Sequence, residues 1–341
     1  MSAPVLITGG AGFIGSALAD RLAAEGEHVL VFDSLARPGT ETNLAWLRAR
    51  HPTRVATVIA DVRDAGAVGD AARGACAVFH LAAQVAVTTS LADPLADVQV
   101  NLLGTMSVLE ALRRNPRPLV YASTNKVYGG LHDVALIRGA DAYAPEDQRL
   151  IRHGIDENQP LRFCTPYGCS KGAADQYVLD YAESFGLPTA VLRMSCIYGP
   201  RQLGTEDQGW VAHFARRAVA GEPVTLYGDG RQVRDILFID DAVAAYVAAW
   251  RRIGQVSGQV FNLGGGPANA VSLLALLRHI ETELGRPVAR RFAPWRPNDQ
   301  RWFVADTRRA HAALKLPAPL GWREGVARMV RDFAEQQVIA A

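Results

Sequence analysis

Short apolar runs rich in Val, Ile and Phe alternate with helix-length segments through the first half of the chain, the pattern of βαβ units around a parallel sheet. Runs at Val5–Thr8, His28–Asp33, Val55–Ala60, Ala77–Leu81, Leu119–Ser123 and Thr189–Arg193 predict six strands, with apolar-periodic helices between them. This half reads as doubly wound. Beyond Arg193 the spacing is irregular: a helix at Gln208–Ala220, strands at Val224–Tyr227 and Gln259–Leu263, and helices at Leu273–Leu284 and Trp322–Glu335. That change of rhythm predicts a second, smaller α+β domain interleaved with the end of the first. The segment from Gly129 to Phe163 is polar, has no clear period, and is too long for an ordinary connection. It is expected to be a functional or partly disordered loop placed to cover a site.

Composition sets the class. With 341 residues, 49% of them hydrophobic, the chain can bury a sizeable core and divide into two domains. Its 36 Lys and Arg against 34 Asp and Glu leave a formal charge of +2, so no general basic field attracts nucleic acid or an anionic membrane. No apolar run approaches the roughly 18 residues of a membrane span. Cys76, Cys164, Cys169 and Cys196 show neither a CxxC nor a zinc-type spacing, and Met-Ser-Ala-Pro leads directly into an apolar strand. A cytoplasmic chain with free thiols is the expectation. The eight histidines contain no pair at metal-ligand spacing, so no metal is expected, and His80 at the end of the fourth strand reads as structural.

Chemistry first shows itself in Thr8-Gly9-Gly10-Ala11-Gly12-Phe13-Ile14-Gly15, which closes a strand and opens a helix, with Asp33 ending the next strand. Glycines let the backbone turn tightly and approach a pyrophosphate, and the helix N-terminus offers unpaired N–H groups and a positive dipole. A carboxylate at the second strand can accept hydrogen bonds from an adenosine ribose. Gly9, Gly12, Phe13, Ile14, Gly15 and Asp33 are therefore candidate dinucleotide contacts. Because a carboxylate repels a 2′-phosphate, NAD is preferred to NADP. The glycines are spaced GxxGxxG, the spacing seen in short-chain dehydrogenases.

A second constellation is Thr165-Pro166-Tyr167-Gly168-Cys169-Ser170-Lys171. Thr165 suits an N-cap and Pro166 the first helical position, which places Tyr167 and Lys171 one turn apart on one face. A tyrosine with a pKa of about 10 must lose roughly three units to ionise at neutral pH. A neighbouring cation supplies about one to three, and Lys171 and an oxidised nicotinamide are both candidates. Tyr167 then becomes a general base for a sugar hydroxyl. The fifth strand runs into Ser123-Thr124-Asn125-Lys126-Val127-Tyr128-Gly129, placing hydroxyls at the C-terminal sheet edge where ligands of open α/β folds bind.

On these residues the chain resembles extended short-chain dehydrogenases/reductases of the NAD-dependent epimerase/dehydratase family, over essentially its whole length. TGGAGFIG, HLAAQ, STNKVYG, YGCSK, YGPRQ and RDILFIDD follow in family order. The resemblance implies a Rossmann-type doubly wound sheet in residues 1–193, with 233–263 returning to it, and a sugar-nucleotide-binding domain in 194–232 and 264–341. It implies a catalytic triad of Thr124, Tyr167 and Lys171, with Asp61 and Val62 beside the adenine and Leu81, Ala82, Ala83 and Asn101 lining the cofactor. Where keto-sugar dehydratases and decarboxylases carry acidic groups after the triad hydroxyl, this chain has Asn125-Lys126. Epimerisation, which needs only the triad and NAD, is favoured over loss of water.

Gln84 to Ser90, Ser123 to Gly129, Tyr167 to Tyr177, Asp207 to Val211 and Asp299-Gln300-Arg301 look more narrowly like CDP-tyvelose (CDP-paratose) 2-epimerases. That likeness implies oxidation at C2, turnover of the 2-keto sugar and hydride return to its other face. Met194 to Pro200 reads more like general sugar epimerases, which keeps a UDP-hexose 4-epimerase open; a non-catalytic NAD-binding protein and a net dehydrogenase are further alternatives. Diphosphate binding calls for guanidinium forks. Arg234 and Arg301 match the family's positions, with a surface ion pair to Asp235 or Asp299 as the other reading, and Arg201 is a further candidate. Trp210 can stack on the base or belong to the core, and Gln84, Thr88, Ser123 and Asn125 are candidate sugar contacts or ordinary loop polars. Helices at Pro94–Arg114 and Pro166–Phe185 resemble the pair that forms the family's homodimer contact.

Overall fold

The computed structural model describes residues 3–296 and 298–340; Met1, Ser2, Pro297 and Ala341, which fall within the expected domain ranges, lie outside the described residues. Seven parallel strands form the main sheet: β1 (Val5–Thr8), β2 (Val29–Asp33), β3 (Val55–Ile59), β4 (Ala77–His80), β5 (Leu119–Thr124), β6 (Thr189–Met194) and β7 (Gln259–Leu263). Their spatial order is β7-β6-β5-β4-β1-β2-β3. The six strands expected from the apolar runs are present within a residue or so at each end.

Strand alternation explains how one sheet supports two apolar layers. Val5 and Ile7, Val29 and Val31, Val120 and Ala122, and Ala190 and Leu192 face one layer. Leu6, Val78, Leu119, Tyr121 and Val191 face the other. With period-two side chains and helices on both faces, both registers of each strand must be apolar, hence the near-continuous hydrophobic runs in the sequence. The chain winds outward in both directions from β1, so β1 and β4 are neighbours whose connections leave in opposite directions. Their C-terminal ends pair at Thr8 and His80. A crevice opens there.

A smaller sheet is built around Val233–Phe238, which pairs with Cys196–Tyr198, Ala270–Ser272 and Trp302–Phe303. Val224–Tyr227 pairs separately with Arg290–Ala293. Of the segment 233–263, Gln259–Leu263 lies in the large sheet as β7, beside β6, while Val233–Phe238 lies in the small one.

The segment from Gly129 to Phe163 departs from the expectation of a loop. It contains a hairpin, Leu136–Arg138 with Tyr143–Pro145, and a helix, Gln148–His153, capped by the Asp147 carboxylate. Leu131, Leu150 and Ile155 are buried in a third apolar cluster with Val127, Tyr128, Trp302, Phe303 and Val304. The Ile155 amide donates to the Val304 carbonyl at 2.7 Å. Each element is so short that its one or two buried residues make no repeating pattern, which is why the segment looked aperiodic. The helical stretch from Pro94 to Arg114 also differs: a π-helical turn, Gln99–Leu103, interrupts it. Among the described residues no helix is long and apolar enough to cross a membrane.

Under β5 and β6 lies the ion pair of Arg193 and Asp175, 2.8 Å apart and almost wholly buried. Arg193 also donates to the Tyr128 hydroxyl, and that hydroxyl donates to the Asn262 side chain, tying β6, β7 and the 125–128 turn together. Removing one partner of such a pair strands a buried charge. Arg193→Met is expected to lower unfolding stability by about 3–5 kcal/mol, measured as the shift in the urea midpoint.

Candidate active site

The crevice above β1 and β4 collects the first set of predicted residues. Gly9 has φ 69°, and a Cβ there would lie 2.6 Å from the Ala82 amide nitrogen, because the turn after β1 lies against the strand-end loop Leu81-Ala82-Ala83. At Gly15 a Cβ would collide with the Gly9 carbonyl oxygen. Gly12 caps the helix Phe13–Ala24 with no side-chain hydrogen bond to its first turn, leaving those N–H groups and the dipole facing the crevice. Asp33 at the end of β2 accepts from the amides of Ala11 (3.0 Å) and Leu35 (2.9 Å), which fixes the rim of the same turn. Bare backbone, free N–H donors and a carboxylate at the second strand fit a dinucleotide. Phe13 and Ile14 begin the helix and pack partly against the core.

The adenine-side pair is placed differently in detail. Asp61 turns its carboxylate onto Arg63, accepting from its backbone amide and its guanidinium. Val62 is buried, so close to Gly104 that a Cβ on the latter would meet it at 2.7 Å. Asn101, in the π-helical turn, is buried; it accepts from the Gln84 amide and donates toward the Gln84 carbonyl, Asp97 and Ser170. It holds the loop after β4 rather than exposing its amide. His80 is a satisfied core histidine, hydrogen-bonded to Thr8 and Thr105, with burial holding its pKa down at about 3.

Tyr167 and Lys171 both lie on the helix Thr165–Phe185, buried on one face. The Thr165 hydroxyl accepts from the Gly168 amide, and the Tyr167 amide donates to the Ser90 hydroxyl, so the catalytic turn is pinned from within and from the neighbouring helix Val87–Ala92. Thr165 itself has φ 65°, a strained value for a β-branched residue. Thr124 ends β5 with its hydroxyl on the side of Tyr167, where it opposes the rise in the phenol pKa. The three triad residues are thus brought together.

Their electrostatics overturn one expectation. Burial pushes the Tyr167 phenol up to about 12, with Asp97 adding to the rise and the Thr124 hydroxyl opposing it. Lys171 does not deliver the expected lowering. Its ammonium donates to the Ala122 carbonyl at 2.7 Å and covers the Tyr121 ring at 4.3 Å. Burial holds its own pKa down at about 7, against the opposing pull of Asp175 and Asp97. Desolvation outweighs the single cation.

On the substrate side, Thr124, Asn125 and Arg234 belong to one connected cluster. The Thr124 hydroxyl lies 3.5 Å from Asn125, whose amide donates to Gln300 at 3.3 Å. The Lys126 ammonium donates to the same Gln300 oxygen at 3.3 Å and lies 3.9 Å from Asp299, which pairs with Arg234 at 2.8 Å. The ion-pair reading of Arg234 therefore holds as to partner, though the guanidinium is buried rather than on the surface. Burial and the neighbouring Arg234 lower the pKa of Lys126, with Asp299 opposing.

Other predicted contacts fall elsewhere. Ser123 is buried and donates to Asp175, because neighbours on a strand point to opposite faces and Thr124 faces the site. Gln84 spends its side chain on Ala86 and Asp97. Thr88 has a buried hydroxyl with no partner among the described residues. Trp210 donates to the Cys196 sulfur and meets Phe214 edge-on, as a core residue does. Arg301 is exposed, over the rings of Tyr143 and Trp295, and Arg201 lies on Trp46 at 3.7 Å, so neither joins Arg234. Gln300 was visible only within the Asp299-Gln300-Arg301 motif, whereas Asp299 was foreseen as an ion-pair partner and Lys126 as the residue standing where dehydratases carry an acid. Arg296, which stacks on Tyr227 at 4.0 Å and pairs with Asp207, gave no local signal at all. Among the described residues no three His, Cys, Asp or Glu side chains converge as a metal site.

The model of the NAD dependent epimerase/dehydratase family matches residues 5–264. The chain belongs to that family. It is 40% identical to the CDP-paratose 2-epimerase of Salmonella typhi, over 95% of this chain and 97% of that one. It is 34% identical to the UDP-glucose 4-epimerase of Mycolicibacterium smegmatis, over 96% and 97%. Among solved structures, the Thermus thermophilus UDP-glucose 4-epimerase in complex with NAD superposes with a TM-score of 0.80 at 32% identity, covering 97% of this chain and 98% of that one. The family is a family of NAD-dependent enzymes, and NAD is this chain's cofactor.

Gly9, Gly12, Gly15 and Asp33 are the residues that would hold it, and when bound in its oxidised form it supplies a hydride acceptor and a positive charge. Gly12→Ala, whose Cβ meets only the Gly9 carbonyl at 3.1 Å, is expected to lose tightly bound NAD while the fold survives, read as cofactor content of the purified protein against an unchanged circular dichroism spectrum. Retention of NAD at the wild-type level contradicts the assignment of the glycine turn.

Proposed function

We propose that this family member is a nucleotide-sugar epimerase, an isomerase acting at C2 of a CDP-hexose of the CDP-paratose/CDP-tyvelose or CDP-glucose type. The observation that carries the reading is the short path from the catalytic hydroxyl to two cations: Thr124, Asn125, Gln300 and Lys126 lead directly to Asp299 and Arg234. C2 is the carbinol next to C1, the carbon that carries the diphosphate, so a substrate reacting at C2 needs base and phosphate-binding cations close together. Positions 125 and 126, filled here by an amide and an ammonium, offer no carboxylate to remove or deliver the protons of a dehydration. The 40% identity to a CDP-paratose 2-epimerase over nearly the full chain supports the same choice.

In this reading Arg234 and Lys126 hold the diphosphate, displacing Asp299, and Asn125 and Thr88 meet the sugar. Tyr167 takes the proton of the C2 hydroxyl as the carbinol is oxidised, and gives it back when hydride returns to the other face of the 2-keto sugar. Thr124 orients the reacting oxygen, and Lys171, held on the Ala122 carbonyl, stands one turn along the same helix. Redox balances over the cycle, with no net change in the cofactor.

Proton NMR of the purified protein with CDP-paratose, CDP-glucose and UDP-glucose tests the assignment. A product with altered H1–H2 coupling from a CDP-sugar is expected, and a galacto product from UDP-glucose would transfer the assignment to a 4-epimerase, whose relative is 34% identical. Tyr167→Phe is expected to lower kcat by about 10³-fold.

The proposed division is residues 1–193 with 233–263 as the cofactor part and 194–232 with 264–341 as the sugar-nucleotide part, except that Val233–Phe238 pairs within the smaller sheet. We further assign the chain as a homodimer through the faces of Pro94–Arg114 and Thr165–Phe185, and place it in the cytoplasm, where its four free cysteines suit a reducing medium. Leu95 and Leu103 are exposed on the first helical stretch, and Tyr177 and Phe185, eight residues apart on the second, are exposed together. A dimer covers such a face. Leu103→Glu with Tyr177→Glu is expected to halve the mass seen by light scattering; a wild-type monomer at micromolar concentration would refute the dimer.

A further inference from the structure

The buried carboxylates differ in how their charge is met. Asp175 has Arg193 and Asp306 has Arg308, while Asp235, away from the Tyr167 helix, accepts from the Ser195 hydroxyl and the Gly266 amide. Asp97, wholly buried, is met only by neutral donors: its Oδ1 accepts from Gln84 at 2.8 Å and Asn101 at 3.1 Å, and its Oδ2 from the Ser170 hydroxyl. Each donor belongs to a piece of the site. Gln84 follows the cofactor-lining loop after β4, Asn101 occupies the π-helical turn, and Ser170 lies between Tyr167 and Lys171 on the catalytic helix. A buried ion with neutral partners keeps its field, because little water is present to screen it.

We propose that Asp97 is a positioning residue for the Tyr167–Lys171 pair, locking the catalytic turn to the loop after β4 through Ser170, Asn101 and Gln84 and holding protons on the pair by its negative charge. The proposal rests on the epimerase reading only for its activity assay. The surroundings single out this carboxylate. Lys171 faces Asp175 on its own helix, the Tyr121 ring on β5, and His80 on β4. Burial keeps His80 neutral down to about 3, and Asp175 is already compensated by Arg193. Tyr167 faces Thr124 and Tyr121 on β5 and Asp97 from the Pro94–Val98 helix. The charge of Asp97 acts on both members in one direction, favouring the protonated phenol and the protonated amine. Without that charge both proton losses occur at lower pH.

Asp97→Asn separates charge from packing. An asparagine there can accept from Gln84 and Asn101 through its oxygen and donate through its nitrogen to Ser170, whose hydroxyl can turn to the Tyr167 carbonyl, 3.2 Å away. In the NAD-loaded enzyme, both limbs of the pH profile of kcat for the CDP-sugar are expected to move down by about one unit, a tenfold change in rate at a fixed pH on either limb. Ultraviolet titration of tyrosinate, taken as a difference against Tyr167→Phe in the same background, is expected to move the same way. Limbs and titration that coincide with wild type, whatever the change in rate or melting temperature, would overturn the proposal and leave Asp97 a packing residue. If no nucleotide sugar is turned over, the epimerase reading fails, and the tyrosinate titration still decides the role of Asp97.

Discussion

The contact between the turn after β1 and the loop after β4 is the constraint on which the rest of the site depends. Strand order reverses there, so two connections that leave in opposite directions must begin side by side, and Gly9 against Ala82 is the point where they touch. That approach forbids a side chain at Gly9, and the tight helix entry forbids one at Gly15. It leaves the first turn of the helix Phe13–Ala24 as an uncovered set of N–H donors. The loop brought in by β4 then carries Gln84 to Asp97 and Asn101, and through Ser170 it reaches the helix with Tyr167 and Lys171. Cofactor turn and catalytic helix are parts of one hydrogen-bonded frame.

Desolvation governs the chemistry of that frame. The same burial that excludes water from the triad drives the Tyr167 phenol toward its neutral form and the Lys171 amine toward its own. Each is thereby displaced from the charge state in which the pair is an effective base. Asp97 adds to the rise at Tyr167 and, with Asp175, opposes the fall at Lys171. An oxidised cofactor bound beside the tyrosine would supply a positive charge that favours its ionisation.

Much of this was legible along the chain where the signal is local. Glycine spacing, a carboxylate at the end of the second strand, and a tyrosine and lysine four apart after a proline all occupy single elements, and the backbone rules of strand and helix carry them into place. Ser123 shows a limit that was itself readable: adjacent strand residues cannot both face one site, so assigning Thr124 to the crevice already sends Ser123 the other way. Asp97, Gln300 and Arg296 could not be read, because their partners, Asn101 apart, lie 13 to 175 residues away and depend on the packing of separate elements. The hairpin and helix inside 129–163 escaped for a different reason. They are held by contacts with the strand Trp302–Phe303 and its neighbours rather than by any amphipathic period of their own.

The seventh strand has a consequence for how the molecule comes into being. β7 pairs with β6 across an intervening stretch that forms much of the smaller sheet, and Asn262 on β7 is the partner that Tyr128 and Ile155 wait for. A nascent chain leaving the ribosome with its first six strands complete still presents β6 as an open edge, with the carboxamide that seals the 125–128 turn not yet synthesised. Unpaired edges of this kind are templates for association with other chains. Between translation of Met194 and of Leu263 that edge has no partner strand in the chain yet made.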